Sequence, residues 1–476
     1  MDAQAAAKIP CAHPGAQLKA DGRLQQRYDV LVSSHLSDSQ RVAAGIKAPA
    51  SVAKAFAATQ AAWRFFSNDG LSLGQLAGPL LACAREEAPA LCQSHVLVVM
   101  DWCNLHLKEH ERKADRVELA QSKDLGYELL TALAISDSGG QPIAPVCLEL
   151  RASDGVHSTR QEKVMESPSV LDGLEPVMQH VQQLELGKPA VFIIDREADS
   201  LGHYRQWDKQ ERRFLVRAND KRKVLYDGQE RSLGEVGKRL TSENAFVQVG
   251  PVLYKGREAR QYVAETMVVL HRAAYTRRKN QKTGKLQTRK FPGGPLPLRL
   301  VVSEVRNEKG KVLARWLLLS NLPETVESFR VALWYYWRWR IESYHKLLKG
   351  AGLQVECWQQ ECVEAMSRRL LVAAMAGVVV WRLAREEGPE AAELREVLVR
   401  LSGRQMKRGK SARPFTEPAL LAGLGVFIPM LQLLETYSVQ ELQELAEAVL
   451  PAGLIGSRRA IARGRAKTPG RPRGVV

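Results

Sequence analysis

Cysteine is scarce and unpatterned: seven residues in 476, an odd number, with no Cys-x-x-Cys spacing. That excludes a disulfide framework and a structural zinc site of the usual spacing, and the thiols read as mostly buried, because a free cysteine behaves as a small hydrophobe. Long apolar runs are also missing. The longest, Leu370 to Trp381, has twelve residues and is bracketed by Arg368, Arg369 and Arg382, whereas a membrane span needs about 20; it reads as a buried helix. Met1 to Arg23 carries no apolar signal core, so a cytoplasmic protein with no membrane-bound part is expected. His106 and His110 stand at i, i+4 with no third ligand near them in the sequence, and read as polar residues on a loop or exposed helix face.

Acidic charge is in deficit. The 69 Lys and Arg against 52 Asp and Glu give a formal charge of +17, which draws polyanions such as nucleic acid, acidic protein or anionic membrane. The excess is concentrated. Between Arg205 and Arg315 there are 27 basic and 11 acidic residues, and the stretch from Gly456 to Val476 has seven basic and none acidic. A chain of this length divides into two to four units at about 100 to 200 residues per domain.

Up to about Pro89 the chain is rich in Ala and Leu with turn residues at Ser37-Asp38-Ser39 and Ser67-Asn68-Asp69-Gly70, which predicts a helical domain over 1–89. Its charge is nearly balanced, so DNA contact there would rest on single side chains such as Arg41, Lys54 and Arg64, and plain packing serves equally well. From His95 the pattern becomes short apolar runs that end in acids, His95 to Met100 before Asp101 and Ala190 to Ile194 before Asp195. These read as strands with carboxylates at their ends. Between them, Tyr127 to Ile135 and Ile143 to Leu150 form a hairpin through Ser136-Asp137-Ser138-Gly139-Gly140, followed by a helix over about Ser169 to Leu186. Strand, hairpin, helix, strand is the order of a ribonuclease-H-like mixed sheet, expected over 90–385, with Phe214 to Ala218 as a further strand.

Residues 221–322 keep strand character and read as a β-rich insertion, in which Arg277 to Lys290, with seven basic residues in fourteen, is expected to be a mobile basic loop. A long helix over Ser328 to Lys349 follows. Residues 386–455 read as a C-terminal helical domain after a basic linker at Met406 to Arg413, with a capping box of Ser438 and Glu441, an apolar stripe of Leu442, Leu445 and Val449, and an end at Pro451 and Gly453. The 456–476 segment reads as a disordered basic tail.

At about 100° per residue, Tyr335, Arg338, Glu342, His345, Lys346 and Lys349 share one face of the long helix, opposite Leu333, Trp334, Trp337, Ile341, Tyr344 and Leu348. By periodicity alone this is equally an exposed face with an i, i+4 pair of Arg338 and Glu342. The segment from Tyr335 to Lys349, however, resembles the Tyr-x2-Arg-x3-Glu-x6-Lys signature of insertion-sequence-four transposases, and Asp195-Arg196-Glu197-Ala198-Asp199 is similar to a box of the Tn-five branch of that family. A weaker likeness extends to Trp63-Arg64-Phe65, Phe214 to Arg217 and Arg315 to Ser320.

The resemblance implies a cut-and-paste DNA transposase in which Asp101, Asp195 and Glu342 bind two Mg²⁺ ions, with Mn²⁺ as a substitute. Tyr335, Arg338 and Lys349 would hold the transposon end, Trp316 would stack on a flipped base, and Arg217 and Arg64 would touch DNA. It further implies double-stranded DNA and a homodimer as partners, the 386–455 region serving dimerisation. Two alternatives stay open: a ribonuclease-H-like nuclease that never joins DNA, and a non-catalytic DNA-binding relative.

Overall fold

The computed structural model describes residues 18, 21–37, 52–119, 124–160, 163–164, 169–279, 286–291, 293–350, 352–404 and 415–449. The basic tail, the linker at 406–413, the helix end at Pro451 and Gly453, Asp38, Ser39 and Arg41 lie outside the described residues. Three helices come first, α1 (Gly22–Ser37), α2 (Val52–Phe66) and α3 (Leu73–Leu91). A set of strands follows: β1 (Val96–His106), β2 (Val117–Glu118), β3 (Leu125–Ser136), β4 (Pro142–Ala152), β5 (Gly155–Ser158) and β6 (Lys163–Val164). Helix α4 (Leu174–Gln183) leads to β7 (Ala190–Ile194), and α5 (Leu201–Lys209) leads to β8 (Arg213–Arg217). Then come β9 (Lys223–Tyr226), β10 (Gln229–Ser232), α6 (Leu233–Ser242), β11 (Val247–Tyr254), β12 (Arg257–Leu270), β13 (Ala274–Lys279), β14 (Leu286–Phe291), β15 (Leu296–Arg306) and β16 (Val312–Ser320). The chain continues as α7 (Ser328–Trp337), α8 (Trp339–Leu348), α9 (Val363–Arg385), α10 (Pro389–Leu401), α11 (Glu417–Leu434) and α12 (Val439–Val449).

The result is a mixed α/β architecture around one large sheet, with the order β10-β9-β12-β15-β16-β8-β7-β1-β3-β4-β5-β6. Its centre, β8-β7-β1, is parallel, and antiparallel strands flank it on both sides. Parallel neighbours need a crossover, and α5 supplies the one between β7 and β8. The centre of the sheet is buried on both faces: every residue of Val96 to Met100 and of Val191 to Ile194 is inaccessible, which is why these segments read as continuous apolar runs without alternation. The strands after residue 221, β13 and β14 excepted, continue the same sheet through the pairing of β16 with β8. Helix α9 is the apolar centre of the helical layer, packing on α1, α3 and β4, and its buried Arg368 donates to the carbonyls of Phe66 (3.0 Å) and Leu71 (3.1 Å). Arg368 is therefore internal, answering the last carbonyl of α2 and a carbonyl of the loop that follows it.

Several expectations are corrected. Asp101 does not end β1; the antiparallel ladder with β3 carries the strand on to His106, and only the parallel ladder with β7 stops at Met100. Of the basic segment 277–290, residues 280–285 lie outside the described residues, and the rest is not open loop: Ala274 to Lys279 and Leu286 to Phe291 pair as a two-stranded ribbon, because backbone hydrogen bonds between strands need no buried side chains. The long helix is two helices. At Arg338 the amide bonds the Tyr335 carbonyl three residues back, and the Ile341 amide does the same to Arg338, so the ladder tightens there by one turn. Cys11 lies outside the described residues, and the other thiols divide, with Cys83, Cys92 and Cys147 buried, Cys103 half-buried, and Cys357 and Cys362 exposed. Among the described residues one helix, α11, is long and apolar enough to cross a membrane by length and composition; part of it is buried, and it packs on α1, α9 and α10. The capping box of Ser438 and Glu441 forms as expected.

The turn between β3 and β4 fixes where the helix breaks. The Asp137 carboxylate accepts from the amides of Gln93 (2.6 Å), Ser94 (2.8 Å) and His95 (2.9 Å) and from the Ser94 hydroxyl (2.7 Å), while its carbonyl accepts from the Trp334 indole at 3.2 Å. Burial pushes the Asp137 carboxyl up, but these bonds outweigh it and hold the group below its usual range. Gly140 takes a positive φ of 62°, and a methyl group there would run into the Trp337 ring. Gly140→Ala is expected to cost about 1 to 3 kcal/mol from backbone strain and overpacking together. Thermal unfolding checks this, and an unchanged melting temperature would show that Trp337 does not need the turn.

Candidate active site

The β1–β7 register pairs Val96 with Ala190 and runs in step to Met100 with Ile194. One residue further along each chain stand Asp101 and Asp195, so parallel pairing alone sets the two carboxylates side by side at the carboxyl end of the ladder. Open parallel sheets bind ligands at this end. Asp195 turns the chain out of the sheet by accepting the Arg196 amide and capping the short 3₁₀ turn Arg196–Ala198. Within the Asp-Arg-Glu-Ala-Asp box the residues divide by task. Ala198 is buried, Glu197 lines the cleft, and Asp199 is structural, receiving Arg222 at 2.8 Å, the Tyr204 hydroxyl at 3.0 Å and the Asn219 amide at 2.8 Å.

Helix α8, which touches β1 and β3, brings the third acid. Glu342 lines the same cleft as Asp101 and Asp195, a concavity of about 470 Å³ that is also lined by Trp102, His345 and Lys346. All three acids address one guanidinium. Arg338 lies 2.8 Å from Asp101 Oδ2, 3.3 Å from Asp195 Oδ2 and 3.7 Å from Glu342 Oε1. Oxygen-only donors of this kind suit Mg²⁺, which takes one or two carboxylates and keeps waters. The carboxylates are nevertheless splayed. Among the described residues the one set of three ligating side chains whose donor atoms all lie within 4.8 Å of one another is Asp154, His157 and Glu364, not this triad.

Part of the polar face of the helix is accordingly turned inward, while Lys346 is exposed and Lys349 half-buried. Tyr335, Arg338 and His345 are buried and Glu342 is half-buried. Burial pushes His345 down to about 4, with Lys349 and Arg338 adding to the effect, and pushes the Tyr335 phenol up to about 12. The Arg217 guanidinium acts on the Tyr335 phenol and partly offsets its burial, and Tyr335 lies 6.3 Å, ring to ring, from Trp316, so the structure brings these three together. Trp316 is half-buried and also meets Tyr254 at 6.4 Å. Lys349 is engaged within the protein, on the Asn104 carbonyl and on Glu356 at 3.1 Å. Arg64 is exposed on α2 and does not line the cleft. Sequence reasoning missed Glu356, whose carboxylate also accepts the His106 amide at 3.0 Å; nothing near it in the chain announces a tie to β1. No family model and no characterised protein matches the chain.

Burial raises the Asp101 carboxyl from 3.8 to about 6, opposed by Arg338 and assisted by Glu342. A carboxyl whose pKa rises on folding binds more protons in the folded than in the unfolded state. Its stabilising contribution is therefore full below about pH 4 and is lost as pH rises through about 6. In metal-free buffer Asp101→Asn is expected to melt higher than the parent at pH 7.5 and level with it near pH 4. A pH series of melting temperatures checks this, and a variant that is less stable throughout would show that the charge itself holds the site together.

Proposed function

We propose that the protein is a DNA transposase of the insertion-sequence-four kind, acting by metal-dependent phosphodiester exchange at Asp101, Asp195 and Glu342. The observation that carries this reading is the meeting of the three acids in one cleft: two placed by the register of neighbouring parallel strands, the third delivered by a helix from about 150 residues further on. The five strands β4-β3-β1-β7-β8, antiparallel on one side and parallel on the other, support a ribonuclease-H-like catalytic region. The +17 charge and the basic β13–β14 segment support DNA as the partner.

Asp101, Asp195 and Glu342 would hold two Mg²⁺ ions, or Mn²⁺ in their place, which when bound stabilise charge on the attacking and leaving oxygens of the phosphodiester. The chain's own groups do the positioning. Arg338, Tyr335 and Arg217 would grip phosphates of the transposon end beside the acids, with Lys349 at the cleft edge, and Arg64 would touch DNA from the N-terminal helices. Trp316, beside Tyr335, would take an unstacked base. Each step exchanges one P–O bond for another: water frees the 3′-hydroxyl, that hydroxyl attacks the opposite strand to close a hairpin, water reopens it, and the hydroxyl attacks target DNA. We further propose a cytoplasmic homodimer on DNA. Its motive is α12, which has no buried residue and leaves Leu445 and Val449 exposed, and α11, which leaves Met430, Leu431 and Leu434 exposed; exposed apolar surface of this kind marks interaction sites.

The direct test uses a labelled duplex carrying the inverted repeat that flanks the gene, incubated with Mg²⁺ and target DNA. Nicked, hairpinned and strand-transferred products are expected in succession. Alanine at Asp101, Asp195 or Glu342 should each reduce nicking by at least about a hundredfold while end binding persists, the cost of one charge-stabilising group. Nicks without hairpins or joined products would make the protein a simple nuclease, and no cleavage at all would leave a DNA-binding protein.

Stacking a base on an aromatic ring is worth about 1 to 3 kcal/mol, so Trp316→Ala is expected to slow hairpin closure about tenfold or more after a normal first nick. Time courses resolved on denaturing gels separate the steps. Equal slowing of both would place Trp316 in the core of the β16 region instead.

A further inference from the structure

We propose that Arg338 is a latch that holds the catalytic carboxylates in a splayed, metal-free arrangement, so that metal binds tightly only when this guanidinium is released. The inference rests on reading Asp101, Asp195 and Glu342 as the metal ligands. The geometry has three parts. The guanidinium spends one nitrogen on Asp101 at 2.8 Å and the other on Asp195 at 3.3 Å and Glu342 at 3.7 Å, so it uses the oxygens that a cation must have. It is also less exposed than any of them, at 7% against 17%, 30% and 36% for the side chains of Asp101, Asp195 and Glu342. The clamp therefore sits on the inner side, where solvent exchanges it slowly and competes with it weakly. Finally, the carboxylate oxygens it holds are too far apart to form a close ligand set.

A Mg²⁺ or Mn²⁺ ion needs oxygens at about 2.1 Å. To reach that distance the three acids must close on the ion, which breaks the Arg338–Asp101 hydrogen bond, weakens the ion pairs of Arg338 with Asp195 and Glu342, and leaves a buried cation near a divalent one. Both costs fall when Arg338 finds another anion. Its position helps the exchange: Arg338 is the junction between α7 and α8, where the helical ladder is already tightened, and its guanidinium lies 5.8 Å from the half-exposed Trp339 ring. A DNA phosphate in the cleft offers that anion. By linkage, DNA raises metal affinity and metal raises DNA affinity by the same factor. The free protein then carries little metal and cuts nothing.

The experiment measures Mn²⁺ binding to the full-length protein without DNA, by the loss of the free-ion spin-resonance signal. Four proteins are compared: parent, Arg338→Gln, Asp101→Asn, and the double variant. Arg338→Gln is expected to bind Mn²⁺ at least about tenfold tighter than the parent, and Asp101→Asn to remove that gain, as competition for one ligand set requires. The melting temperature of Arg338→Gln should fall in chelator and recover with Mn²⁺. Equal or weaker binding by Arg338→Gln, with Asp101→Asn lowering affinity in both backgrounds, overturns the latch and leaves the metal site standing. Binding indifferent to Asp101→Asn removes the metal site and the latch with it. Should Arg338→Gln fail to fold even with Mn²⁺, Arg338→Lys, whose single ammonium cannot span three acids, is expected to lie between parent and tenfold. Affinity equal to the parent's in that variant overturns the proposal.

Discussion

The parallel register between β1 and β7 is the constraint on which the site depends. Five paired residues, Val96 to Met100 against Ala190 to Ile194, place Asp101 opposite Asp195. In a strand, a slip of one residue sends every side chain to the other face, so one wrong step would set Asp101 beside Ile194 or Arg196 and separate the two acids. Complete burial of all of these residues but Ala190 makes such a slip costly. The hydrophobic core thus acts as the ruler that spaces the carboxylates.

Helix placement adds the third acid under a different control. The Asp137 carboxylate pins the β3–β4 turn to residues 93–95, its carbonyl takes the Trp334 indole, and Gly140 admits the Trp337 ring. Those contacts set the end of α7 against the same strands that carry Asp101. The break at Arg338 then turns α8 so that Glu342 faces the cleft. Three acids gathered in a half-buried place repel one another, and the guanidinium of Arg338, in contact with all three, offsets part of that repulsion.

Much of this was legible in the sequence, for physical reasons. Buried parallel strands are continuous apolar runs, so the acids that follow them stand out, and the Ser136 to Gly140 turn marks its hairpin plainly. The face of the 328–349 helix was found by period, but its environment was not: a period separates two faces without telling solvent from a polar interior, and Tyr335, Arg338 and His345 prove to be buried. Helix α6 escaped notice although Ser232 and Glu235 form a full capping box, because it is short and lies among strands. The ribbon of β13 and β14 escaped because pairing of backbones leaves little trace in a basic, polar segment. Glu356 reaches back to Lys349 and His106 across the fold, a contact that no local pattern encodes.

The account turns on where a divalent ion binds. The most direct measurement is anomalous X-ray diffraction from crystals of the full-length protein bound to duplex end DNA and grown with Mn²⁺. The account predicts anomalous peaks within bonding distance of Asp101, Asp195 and Glu342, with the Arg338 guanidinium moved off them and onto a phosphate. Peaks confined to Asp154, His157 and Glu364, or none near Asp101, would contradict it.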